Sequence, residues 1–194
     1  MGKIIFNYGN MGSGKTSKML TQFDLYKRRR KRPVIIKPCI DTRENETGEK
    51  FVGWGVTKSR ITKNAEPVYY FDKLDNTLNL LDFGVLFVDE AQFLSREDVL
   101  ILCSIADKKG IDVICYGLKT DVNGELFEGA KHLFALADDF VEIDSLCEIE
   151  GCNCKAICHV RFINGEIDDS GKSVAIEQGN VTYKSVCRKH WNIL

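Results

Sequence analysis

The stretch Gly9-Asn10-Met11-Gly12-Ser13-Gly14-Lys15-Thr16 reads G-x-x-x-x-G-K-T, a spacing that suits a loop wrapped around phosphate oxygens. Its glycines let backbone N–H groups turn inward, and the start of a following helix adds partial positive charge. Lys15 can then reach the β- and γ-phosphates of a nucleotide such as ATP, and the Thr16 hydroxyl can ligate Mg²⁺. A second pair, Asp89-Glu90, closes the apolar run Val85-Leu86-Phe87-Val88. Phosphoryl transfer asks a protein mainly to position a nucleophile and to neutralise phosphate charge. A carboxylate at the tip of a central strand suits Mg²⁺, and its neighbour can take a proton from an attacking hydroxyl or water. Asp89 is therefore assigned to the metal and Glu90 to the base.

The third constellation is made of cysteines. Five of the eight, Cys147, Cys152, Cys154, Cys158 and Cys187, fall in the last quarter of the chain, whereas Cys39, Cys103 and Cys115 are isolated. Cys115 lies in an apolar run and reads as a small buried hydrophobe. Cys147 and Cys152 have C-x₄-C spacing, and Cys187 and His190 have C-x-x-H spacing. Two such knuckles make a closed, structural Zn²⁺ site of three thiolates and one imidazole, with no position left open for catalysis. Cys154 competes with Cys147 or Cys152 as a ligand.

The elements that must position these groups follow from pattern. Lys3 to Asn7 is a short apolar strand, Lys15 to Leu25 a helix, and the basic run Lys27 to Arg32 suits that helix's C-terminal end. Pro33 to Lys37 is a second strand, and Arg43 follows its C-terminal end, where open α/β sheets bind ligands, as a candidate phosphate contact. Residues Glu44 to Lys63 read as a long polar loop, Val68 to Phe71 as a strand and Leu74 to Leu81 as a short helix. Ser95 and Asp98 form a capping box for a helix running to about Lys109, stopped by Gly110. Ile111 to Tyr116 is a strand, Gly117 to Gly129 a loop, Lys131 to Ala137 a helix and Phe140 to Ile143 the last strand of this layer. The alternation predicts an α/β fold, a P-loop parallel sheet with helices on both faces, over residues 1–144. A small zinc-binding domain occupies 145–194.

With 194 residues, 28% charged, 44% hydrophobic and a formal net charge of -1, the chain has the composition of an ordinary globular protein. It lacks the basic excess of a general nucleic-acid binder. No signal-peptide pattern and no run long enough for a bilayer are present, so the sequence predicts a cytoplasmic protein without membrane partners.

Six segments in order, Gly9 to Thr16, Asp41 to Arg43, Phe87 to Phe93, Tyr116 to Asp121, Gly124 to Gly129 and Ser185 to His190, together resemble the type II thymidine kinase family. The resemblance implies a phosphate-loop domain followed by a zinc-binding domain with a lasso loop. It implies ATP-dependent phosphorylation of the 5′-hydroxyl of thymidine or deoxyuridine, with Glu90 as the base. It further implies that Leu118 and Phe127 line the thymine pocket, and that Tyr183 lies in the lasso that closes over the nucleoside. A homotetramer inhibited by thymidine triphosphate belongs to the same expectation. Three departures fall on the nucleoside side and bear on the strictness of thymine selection. His159, after Cys158, stands where the family usually has a threonine beside the base; Val122 replaces a frequent phenylalanine; and Glu177-Gln178 precede Gly179 in place of an apolar residue and a second glycine. His159 reads either as a contact to the base or as a partly exposed strand histidine.

A competing reading is a P-loop nucleic-acid-dependent ATPase, since Asp89-Glu90-Ala91-Gln92 has the look of a helicase motif in which Glu90 activates water. Translocating helicases need two such domains, and the chain has room for one.

Overall fold

The computed structural model describes residues 1–39, 52–59, 64–74, 78, 81–168 and 181–192. Its main layer is a seven-stranded sheet built from β1 (Ile4–Gly9), β2 (Pro33–Pro38), β3 (Gly53–Lys58), β4 (Ala65–Phe71), β5 (Val85–Val88), β6 (Asp112–Gly117) and β7 (Asp139–Ile143). The spatial order is β3-β4-β2-β5-β6-β1-β7. Every neighbouring pair is parallel except β3 with β4. Cys115 is the Cα partner of both Phe6 and Val88, so the tips of β1, β6 and β5 emerge side by side. Ligands of open parallel sheets bind at these C-terminal tips.

Strand β5 explains why both faces are covered. All four of its residues are buried, and alternate side chains point to opposite faces. Val85 and Phe87 pack with Met19, Leu20 and Phe23 of α1 (Lys15–Arg28). Leu86 and Val88 pack with Val99, Leu102 and Ile105 of α2 (Arg96–Lys109) and with Ala130 and Leu133 of α3 (Glu128–Leu136). The apolar positions of α2 recur at helical spacing. Its expected capping box is present, with the Asp98 N–H donating to Ser95 Oγ at 3.1 Å and the Ser95 N–H to Asp98 Oδ2 at 3.0 Å. Gly110 ends the helix in the left-handed region.

The expected loop over residues 44–63 is corrected where it is described: residues 53–58 form β3, paired antiparallel with β4 from Gly53↔Tyr70 to Lys58↔Ala65. Trp54 and Val56 point outward and are more than half exposed, so the strand lacks the polar outer face that would have revealed it. Helix α1 ends at Arg28, so the basic run begins in its last turn with Lys27 and Arg28, as expected. Helix α3 starts at Glu128, three residues before its expected start. Its second residue, Gly129, has to lack a side chain, because a Cβ there would lie 2.2 Å from the Ala91 carbonyl oxygen, in the 3₁₀ turn Ala91–Phe93. The expected helix from Leu74 to Leu81 lies largely outside the described residues; Leu74 and Leu78 are buried in the core.

Beyond β7 the chain builds a second sheet of three antiparallel strands, β10-β8-β9, from β8 (Cys158–Ile163), β9 (Glu166–Ile167) and β10 (Val181–Val186). A single helical turn, α4 (Arg188–Trp191), follows. Of the expected lasso, Glu177, Gln178 and Gly179 lie outside the described residues, whereas Tyr183 is described on β10. Among the described residues no helix is long and apolar enough to cross a membrane.

Candidate functional site

The phosphate loop leaves β1 at Gly9 and enters α1 at Lys15. Gly12 and Gly14 have φ of 70° and 84°, values that side chains with a Cβ adopt at a cost. The first turn of α1 contains no acidic residue, so the helix's own positive end is left free to favour an anion. Lys15 Nζ donates to the Asn10 carbonyl at 2.6 Å and weakly to that of Gly9 at 3.4 Å. Burial lowers its pKa to about 8 against the pull of Glu90 and Asp89, so an arriving phosphate would strengthen its charged form. Thr16 follows as the second residue of α1 and is half-buried.

Across the sheet edge, β5 delivers Asp89 and Glu90. Strand β6 stands between β5 and β1, a spacing of roughly 10 Å for two strand intervals, yet Lys15 still acts on both carboxylates. Asp89 is buried; its Oδ1 accepts the Glu90 N–H at 3.1 Å, and its Oδ2 lies 3.4 Å from Thr57 Oγ1. Burial raises its pKa, partly offset by Lys37. Glu90 has φ 53° and ψ 39°, a conformation rare for a residue with a side chain and one that concentrates at functional sites. Burial opposes its ionisation, but Lys37, the Gln92 amide and Lys15 outweigh it and hold the carboxyl below its ordinary value.

Both Glu90 oxygens are gripped. Lys37, at the end of β2 and with a side chain 12% exposed, places Nζ 3.4 Å from Glu90 Oε1 and 3.6 Å from Asp89 Oδ2. Gln92 Nε2 donates to Glu90 Oε2 at 2.7 Å, while its Oε1 accepts the Leu118 N–H at 3.0 Å. The backbone donor fixes which end of the Gln92 amide faces Glu90. Lys37 and Thr57 were not singled out from sequence, and Gln92 was read only as part of the motif around Glu90, with no role of its own. A lone lysine ending an apolar strand at the ligand edge was the available signal for the first, and Thr57 lies on the strand read as loop.

The expected nucleoside residues divide. Leu118 is buried beside Gln92, and Phe127 caps α3 with its ring 5.6 Å from that of Phe93. They stand at the two feet of the loop between β6 and α3, where the Phe127 N–H donates to the Lys119 carbonyl. At the tip of that loop, Trp191 Nε1 donates to the Val122 carbonyl at 3.0 Å. Tyr183 stands on β10, its ring 6.1 Å from that of His159 and inclined at 68°. His159 is buried, which corrects the expectation of partial exposure. Arg43, Glu177 and Gln178 lie outside the described residues.

Cys147, Cys152, Cys187 and His190 converge, with one ligand atom from each all within 4.8 Å of one another. His190 Nδ1 lies 3.3 Å from Cys147 Sγ and 3.4 Å from Cys187 Sγ. A tetrahedral zinc with ordinary bond lengths separates sulfur from nitrogen by about 3.6 Å, so the donor set fits that metal in chemistry and spacing. The His190 N–H lowers the Cys187 thiol pKa, favouring the thiolate a metal needs. Cys154 stands outside the cluster and is exposed; its carbonyl accepts the Cys147 N–H at 2.9 Å.

Comparison with known proteins gives a consistent result. The family model described as thymidine kinase matches residues 2–191. The thymidine kinase of Enterobacteria phage T4 is 37% identical over 196 residues, covering 100% of this chain and 97% of the relative. That of Streptococcus agalactiae is likewise 37% identical over 196 residues, and that of Streptococcus pyogenes 34% over 199, each covering 98% of this chain and 97% of the relative. A solved structure of Bacteroides Pif1 bound to ssDNA overlaps with a TM-score of 0.36 and 17% identity over 73% of this chain and 38% of that one, too weakly to carry an inference.

Proposed function

The chain belongs to the thymidine kinase family, and from that premise we propose that it transfers the γ-phosphoryl group of ATP to the 5′-hydroxyl of thymidine, and of deoxyuridine, with Glu90 as general base. The 5′-oxygen attacks the γ-phosphorus, the bond to the β,γ-bridging oxygen breaks, ADP leaves, and the hydroxyl proton passes to the Glu90 carboxylate. The observation that carries this reading is the double grip on Glu90 by Lys37 and Gln92 at the same sheet edge as the phosphate loop. An ionised carboxylate held by both oxygens on a rigid backbone is pre-positioned to accept a proton.

Lys15 and the N–H groups of Gly9, Asn10, Met11, Gly12, Ser13 and Gly14 would hold the triphosphate, with Arg43 as a further contact. Thr16 and Asp89 would hold Mg²⁺, an all-oxygen donor pair suited to a hard cation, whose chemistry is to neutralise phosphate charge. Leu118, Phe127 and Tyr183 would bound the thymine. Cys147, Cys152, Cys187 and His190 would hold a structural Zn²⁺ in the segment 145–194.

The test is phosphate transfer from ATP to thymidine, deoxyuridine, deoxycytidine and purine deoxynucleosides, alongside ATP hydrolysis with single-stranded DNA. Transfer to thymidine and deoxyuridine is expected. Hydrolysis stimulated by DNA, with no nucleoside phosphorylated, would overturn the reading.

A further inference from the structure

The small sheet has two unlike faces. Residues directly opposite on antiparallel strands share a face, and the register pairs Val186 with Cys158, Lys184 with Val160 and Ser185 with His159. Val186, Cys158 and Val160 pack around the Cys147 and Cys187 knuckles. Ser185 and His159 are on the other face, and Ser185 is fully buried.

Every polar atom of Ser185 is committed. Its N–H donates to Glu148 Oε1 at 3.2 Å, its carbonyl accepts the Glu148 N–H at 2.8 Å, and its hydroxyl donates to the Met11 carbonyl at 2.6 Å. Glu148 adjoins Cys147, and Ser185 stands two residues before Cys187. The two arms of the metal-ligand cluster therefore hold the pair that reaches across 174 residues of sequence into the phosphate loop. A peptide unit is planar and trans, so pinning the Met11 carbonyl holds the Gly12 N–H pointing the opposite way. Gly12, free of side-chain constraint at φ 70°, would otherwise let that peptide rotate.

We propose that Ser185 is a positioning residue for the phosphate loop, and that the Cys147, Cys152, Cys187 and His190 cluster acts through it on triphosphate binding. The inference rests on the reading of Gly9 to Thr16 as the ATP site. The Ser185 hydroxyl ends on the Met11 carbonyl of the phosphate loop, so its loss is expected to weaken ATP binding more than nucleoside binding.

Calorimetric titration with ATP, KM values for both substrates and metal analysis test it on the full chain. Ser185→Ala should keep zinc and the thymidine KM while raising the ATP dissociation constant ~5- to 10-fold, the loss expected of one buried hydrogen bond. Ser185→Cys, nearly isosteric with a weaker donor, should show a smaller rise and guards against misfolding of the first variant. Removing zinc from the wild type should weaken ATP binding by a similar factor, and should add less than about twofold in Ser185→Ala because the link is already cut. ATP affinity unchanged in a folded Ser185 variant, or thymidine and ATP KM values rising together, would overturn the proposal. A wild type that binds no ATP would instead overturn the reading of the loop itself.

Discussion

Lowering the pH from about 7.5 to about 5 should destabilise the protein by about 2 kcal/mol through His159 alone. The imidazole is 3% exposed, and among the described residues no group hydrogen-bonds its Nδ1. Burial, helped by Lys15, opposed by Asp121 and helped again by Arg161, lowers its pKa from 6.5 to about 4. In the unfolded chain the ring takes up a proton as the pH falls through 6.5, whereas the folded protein keeps it neutral until about 4. The unfolded state thus binds more protons in that window. The stabilisation is fully present above 6.5 and is lost as the pH falls towards 4. At about 1.4 kcal/mol per pKa unit the whole window is worth about 3 kcal/mol, of which about 2 is lost by about pH 5. Urea denaturation of wild type and His159→Thr at both pH values, in zinc-replete buffer, isolates the effect. Threonine suits a strand and cannot titrate; the cavity it leaves costs stability at both pH values and cancels from the pH difference. Wild type should lose about 2 kcal/mol more than the variant. Equal losses would refute a buried, neutral His159.

Gln92→Leu should destabilise by about 1–3 kcal/mol, because the buried Leu118 N–H loses its acceptor, and should lower kcat more than it raises the thymidine KM. Chemical denaturation and steady-state kinetics check the two halves. Cys187→Ser should reduce bound zinc from about one per chain towards none, measured by elemental analysis, since a closed four-ligand site loses one thiolate. Its ATP affinity should fall with the metal.

The parts of the site that were legible in sequence are those in which neighbouring residues share one task. Gly9 to Thr16 carries its loop, its cation and its helix start in eight consecutive positions, and Asp89-Glu90 follows an apolar strand whose four residues are all buried. The Ser95–Asp98 cap was legible because both partners lie within one turn. Contacts between distant segments were not. Lys37 meets Glu90 only because β2 and β5 pair, and Ser185 meets Met11 only because the small sheet folds over the loop. Cys154 could not be told from its neighbours by spacing; the fold separates them by turning its side chain outward. Strand β3 escaped because its glycines and outward-facing Trp54 and Val56 mimic an aperiodic loop until β4 supplies a partner.

Glu90, held by Lys37 and Gln92, is proposed to take the proton of the nucleoside hydroxyl. Single-turnover phosphate transfer from ATP to thymidine by Glu90→Gln, with both ligands' affinities measured separately, tests this most directly. The amide is nearly isosteric and cannot accept that proton, so binding of both ligands should persist while the transfer rate falls by ~10²-fold or more. Transfer at close to the wild-type rate would contradict the account.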